Sequence, residues 1–186
     1  NCKSLDNRVS VFILIEALKQ IQNKELPYDF YAVFTVQEEV GVRGAQVATL
    51  AINPDFGICI DTTIAFDTPG ALDYEKITSL GNGTAIKIMD SKTICDQRMV
   101  RFMKKTADKY AIKWQPEILT GGGTDTMGLQ QFTAGGSIAG AISVPTRHIH
   151  QVIEMVHKKD VESCIELLKC CLLSMSNNNW EHKNEI

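Results

Sequence analysis

Asp6, the adjacent pair Glu38-Glu39 and Asp61 are the acidic residues whose settings suit chemistry. The first opens a helical pattern, and the others follow or close apolar, strand-like runs. Carboxylates at the ends of neighbouring strands meet along one rim of a sheet. At about 4 Å two of them repel by about 4 kcal/mol at an effective dielectric of about 20, so a cluster calls for cations or shared protons. Divalent metals meet that need. A histidine of Pro145-Thr146-Arg147-His148-Ile149-His150 adds a nitrogen donor, which favours zinc, cobalt or manganese over calcium or magnesium. Taken singly, each residue has a plainer reading: Asp6 as a helix cap, the glutamates and Asp61 as turn formers, the histidine as structural.

The adjacency of Glu38 and Glu39 bears on mechanism. In a strand, successive side chains point to opposite faces, so both serve one site only where the strand unravels. Val40-Gly41-Val42-Arg43-Gly44 supplies that break. One carboxylate can then ligate a metal while its neighbour takes a proton from water. The paired carboxylates of glycosidases instead flank the bond at about 5 to 9.5 Å, which suits consecutive residues poorly. Gly121-Gly122-Gly123 lacks the Lys-Ser/Thr ending of a phosphate loop and reads as a turn.

Apolar periodicity supplies the elements that must position these groups. Helices are expected at residues 7–22 with Asp6 as N-cap, at 43–52, at 95–110 with Met99, Met103, Ala107 and Tyr110 on one face, and at 161–175 with Asp160 as cap. Strands are expected at 30–36, 55–61, 84–89, 113–119 and 137–144, the first of them buried. Such alternation predicts an α/β fold, a mostly parallel sheet layered with helices in a single domain. Its ligands should gather outside the carboxyl ends of the strands. Residues 176–186 read as a polar, frayed tail.

Composition is that of an ordinary folded domain, with 44% hydrophobic and 22% charged residues. A net charge of -3 without a basic run argues against nucleic acid, and no apolar run is long enough for a membrane span. The six cysteines form no CxxC pair, so a reducing, cytoplasmic setting with buried free thiols is the simpler reading. The abrupt opening Asn-Cys-Lys-Ser-Leu-Asp reads as that of a fragment.

Leu5-Asp6-Asn7-Arg8, Phe34-Thr35-Val36-Gln37-Glu38-Glu39-Val40-Gly41, Asp61-Thr62-Thr63, Gly121-Gly122-Gly123-Thr124-Asp125 and Pro145 to His150 resemble, in order and spacing, the motifs of the tetrahedral (TET) aminopeptidases. Some members of that family carry endoglucanase or cellulase M labels. The resemblance implies a zinc-peptidase-like (phosphorylase/hydrolase-like) catalytic domain, of which residues 1–186 form the C-terminal portion. The inserted dimerisation domain is absent.

It also implies two divalent ions, zinc or cobalt, with Asp6 bridging, Asp61 on one ion, Glu39 and His150 on the other, and Glu38 as general base. Gly122, Gly123, Thr124 and Asp125 would border the substrate pocket. The expected activity is metal-dependent removal of N-terminal residues from peptides, by a homo-oligomer. The rival readings are a catalytically silent fragment or oligomer subunit and an endoglucanase-type glycosidase. Two departures stand out: the family's His-x-Asp ligand near the N-terminus is missing, and His148 occupies a position usually held by Tyr, which makes it the alternative to His150.

Overall fold

A computed structural model describes residues 1–182 of the chain. Helix α1 spans Leu5–Ile21 and buries Val9, Ile13, Ala17 and Ile21 at helical spacing. α2 is Arg43–Ile52, α3 Gln97–Lys109, α4 Thr126–Gln131 and α5 Lys158–Ser174. The strands are β1 Phe56–Ile64, β2 Thr84–Met89, β3 Trp114–Ile118, β4 Ile138–Arg147 and β5 Met155–Val156. They form one mixed, mostly parallel sheet in the order β1-β4-β2-β3, with β5 beside β4. β1 runs parallel to β4 and β2 parallel to β3, whereas β2 and β5 meet β4 antiparallel.

Period-two alternation divides the sheet between two layers. Ile58 and Ile60 pack on the main core, where α1, α3 and α5 meet around Ile13, Met99, Met103 and Leu167, all fully buried. Each such aliphatic side chain contributes about 1.5–3 kcal/mol. Gly57, Cys59, Asp61 and Thr63 face the other way, and α4 closes over that side with Leu129 against Gly57. Asp61 therefore lies on the thinner layer, beside the loops rather than under the core. Five of the six cysteines are buried free thiols and Cys2 is exposed.

Several expectations need correction. Residues 30–36 form no regular element and pair with no strand among the described residues, and Tyr31, Val33, Phe34 and Val36 are exposed. An apolar run becomes a buried strand only when a neighbour supplies the ladder, and none of β1 to β5 does. β1 continues past Asp61 to Ile64, and β4 runs on through Pro145, because Thr63 and Pro145 stay in register.

Asp6 is not a cap. It sits in a non-helical first turn behind Ser4, its peptide bond to Asn7 is cis, and its amide points elsewhere. α5 is capped by His157, whose Nδ1 accepts from the Lys159 amide; Asp160 is buried and accepts from the amides of Gly81 and Gly83. Tyr110 follows α3 and is exposed. The tail is anchored: the Trp180 ring lies 4.6 Å from Phe56 and 5.0 Å from Phe102, and its indole N–H donates to the Met175 carbonyl. Residues 183–186 lie outside the described residues.

Candidate metal centre

Ahead of α2 the chain tightens into a single 3-10 turn, Glu38–Val40. The amides of Gly41 and Val42 both donate to the Glu38 carbonyl, at 3.0 and 2.8 Å. Gln37 and Val42, at φ 60 and 57, bracket the turn in left-handed conformations. Such strain persists where surrounding structure enforces it and is common at functional sites. Gly44 donates to the Val36 carbonyl, and a Cβ there would lie 2.4 Å from that oxygen, so only glycine lets α2 begin this close. The turn abolishes strand alternation, and both Glu38 and Glu39 line one cleft.

Asp6 reaches the same cleft because the Asn7 amide Nδ2 donates to the Ile60 carbonyl, tying the start of α1 to β1 beside Asp61. His150 arrives from the turn after β4, where His148 and His150 are left-handed at φ 61 and 62. Its Nε2 stands 3.0 Å from Asp6 Oδ2 and 3.2 Å from Glu39 Oε1. One donor atom from each of the three lies within 4.8 Å of the others. Donors about 2.0–2.2 Å from one ion fall roughly 3–4 Å apart, and the two distances from His150 are of that size.

Asp61 lines the cleft, is 7% exposed and accepts from the Thr62 amide at 2.8 Å, but it stands outside the three-donor group. His148 is exposed and joins neither.

The cleft encloses ≈ 530 Å³. Its acidic end faces a wall made by Gly121, Gly122, Gly123, Thr124 and Leu119, with Lys87 and Lys92 among the remaining contacts. Asp125 is held behind this wall, where its Oδ2 accepts from the Thr35 hydroxyl at 2.6 Å. Burial, then the charges of Asp125, Glu39 and Asp6, push the Glu38 carboxyl up to about 7. Burial also raises Asp61 well above the usual carboxylate range, and burial followed by Glu39 raises Asp6. A cavity that crowds carboxylates in this way favours cations.

The sequence profile of the M42 glutamyl aminopeptidase family matches residues 1–167. The chain belongs to this family. It is 36% identical over 170 residues to the lysyl aminopeptidase of Pyrococcus furiosus, covering 90% of this chain and 46% of that protein. Among solved structures, an aminopeptidase from the archaeon Desulfurococcus kamchatkensis matches with a TM-score of 0.87 at 36% identity, over 91% of this chain and 47% of that one. A TET1 peptidase of Pyrococcus horikoshii, described as assembling into a tetrahedron or a large octahedral shell, matches with a TM-score of 0.79 at 33% identity, over 90% and 48%. The chain spans about half the length of the curated relatives it matches.

Sequence reasoning missed two features that this M42 chain places at the cleft. Lys87 is fully buried in its floor, hydrogen-bonded to Glu117 and 3.6 Å from Asp90, while the Thr63 hydroxyl donates to the same Glu117 at 2.7 Å. Nothing local marks the group, because its members come from three strands and the turn after β2. Glu154 is 2% exposed and accepts from the amides of Asp6 and His150. Its only sequence signal is a position four residues after His150.

The raised acids set a pH dependence. Each of Asp6, Glu38 and Asp61 binds its proton more tightly when folded than the ordinary carboxyl of an unfolded chain. Their contribution to stability is therefore complete below the unfolded value and lost as pH rises through the folded one. In a chelator, the thermal midpoint of this M42 chain is expected to fall by several degrees between about pH 5 and about pH 8. Saturating cobalt should flatten or reverse the trend, because a cation favours the deprotonated acids. Melting curves by circular dichroism, with chelator and with cobalt, check both halves. A chelated midpoint that rises over that window would contradict the crowding.

Proposed function

We propose that this chain carries the general base and most of the metal ligands of a metal-dependent aminopeptidase that removes N-terminal residues from peptides. The observation that supports it most is the convergence of Asp6, Glu39 and His150 donors within 4.8 Å, in the same cleft as a Glu38 carboxyl pushed up to about 7. Asp6, Glu39 and His150 would hold one divalent ion, zinc or cobalt, and Asp6 with Asp61 a second. When bound, the ions supply Lewis-acid polarisation of the scissile carbonyl and a water of lowered pKa.

Glu38 takes the proton of the attacking water at its carboxylate and returns it to the departing amine nitrogen, a role open to a cleft carboxylate that stands outside the three-donor group. The wall from Gly121 to Thr124 lets a peptide backbone approach closely and limits water around the reacting bond. A glycosidase reading is disfavoured, because Glu39 stands 3.2 Å from His150 Nε2 rather than across a bond from Glu38.

The six free thiols support a reducing, cytoplasmic setting, and no described helix is long and apolar enough to cross a membrane. By likeness to the Pyrococcus horikoshii enzyme, we extend the reading to a homo-oligomer. The test of function is hydrolysis of aminoacyl anilides against a soluble cellulose by a longer form of the protein, with and without cobalt. Cobalt-dependent release of the anilide and an untouched cellulose are expected; the reverse pattern overturns the proposal.

The two outer aspartates should behave differently. Asp6→Ala is expected to lower occupancy of both ions, because one carboxylate serves each, whereas Asp61→Ala should empty mainly one. Metal analysis of the variants, made in a longer form of the protein, reads this directly. Two ions retained in Asp6→Ala would exclude a bridging role.

A further inference from the structure

We infer that Glu154 is a positioning residue, a single buried carboxylate that aligns Asp6 and His150 on one metal ion. This rests on the metal-centre reading above. Its Oε2 accepts from the Asp6 amide at 2.9 Å and its Oε1 from the His150 amide at 3.0 Å. Among the described residues its side chain has no other hydrogen-bond partner. Its backbone is fixed in turn by a reciprocal pair with Cys2, at 3.1 and 3.0 Å, which holds the segment before Asp6 against the turn after His150. Two ligand residues that approach from opposite ends of the chain are thus referenced to one group.

Both need it. Asp6 lies in a non-helical stretch of α1, and His150 has a left-handed backbone in a turn closed by a single backbone bond, from the Gln151 amide to the His148 carbonyl at 3.1 Å. Filling the space would not require a carboxylate, since burying one is costly. Two acceptor oxygens in one plane are what the two amides call for, and a glutamine has only one. Outer partners of this kind typically change metal affinity by about 10- to 100-fold.

The experiment is titration of the 186-residue chain with cobalt alone, by calorimetry, on the wild type, Glu154→Gln and Glu154→Asp. Thermal melts of the metal-free proteins establish the folded fraction. Glu154→Gln keeps the shape but turns an amino group toward one of the two amides. Its cobalt dissociation constant should rise about 10- to 100-fold in folded protein. Glu154→Asp is one methylene too short to reach both amides and should fall between. A dissociation constant within about twofold of wild type in folded Glu154→Gln overturns the inference, as does failure of both variants to fold, which would make the contact structural. A wild type that binds no cobalt overturns instead the metal-centre reading on which it stands.

Discussion

Replacing Glu38 by Gln is expected to reduce aminopeptidase turnover by about 10²- to 10⁴-fold, the usual worth of a positioned general base, while metal content and fold stay unchanged. Glutamine matches the size and polarity of the side chain but cannot take a proton from water. Glu38 lies outside the group of donors formed by Asp6, Glu39 and His150, so its loss leaves that group intact. The KM for an aminoacyl anilide should change far less than kcat, because the base acts on the proton in flight rather than on the bound peptide. Steady-state kinetics and metal analysis on the longest active form of the protein check both statements. Near-native turnover would assign the base elsewhere.

Parts of this site were legible in the sequence because they are local. Two consecutive glutamates followed by Val-Gly-Val-Arg-Gly demand a turn, and the observed 3-10 turn with left-handed flanks brings both into one cleft. The apolar period of α1 and α3 was equally readable, since Ile13, Ala17, Met99 and Met103 recur at the spacing their burial requires. What escaped depends on partners distant in sequence. Whether residues 30–36 form a strand is decided by a neighbouring ladder, which the run itself does not encode. Pro145 reads as a terminator, yet it continues β4 beside Thr63. Glu154 is an unremarkable acid until the left-handed turn at His148 and His150 folds it beneath Asp6.

The division between a complete and an incomplete donor set leads to the second large effect. One ion can draw on Asp6, Glu39 and His150, three protein donors, the usual number in a catalytic zinc site. A second ion, placed between Asp6 and Asp61, would find only these two among the described residues. Asp61 is also less available than its type suggests, because burial raises its carboxyl and the Thr62 amide occupies Oδ1. Loss of an outer partner alone costs about 10- to 100-fold in affinity, so lack of a direct donor should weaken the second ion by about 100-fold or more relative to the first.

The 186-residue chain is therefore expected to hold one cobalt or zinc ion firmly, a second only at high concentration, and to show little or no peptidase activity although it carries Glu38. Equilibrium dialysis followed by an anilide assay, on this chain and on a longer form of the protein, would measure the difference. Two firmly held ions and full turnover in the short chain would require another donor from within it. The first suspect is His148, which is exposed two residues from His150 and would have to turn into the cleft.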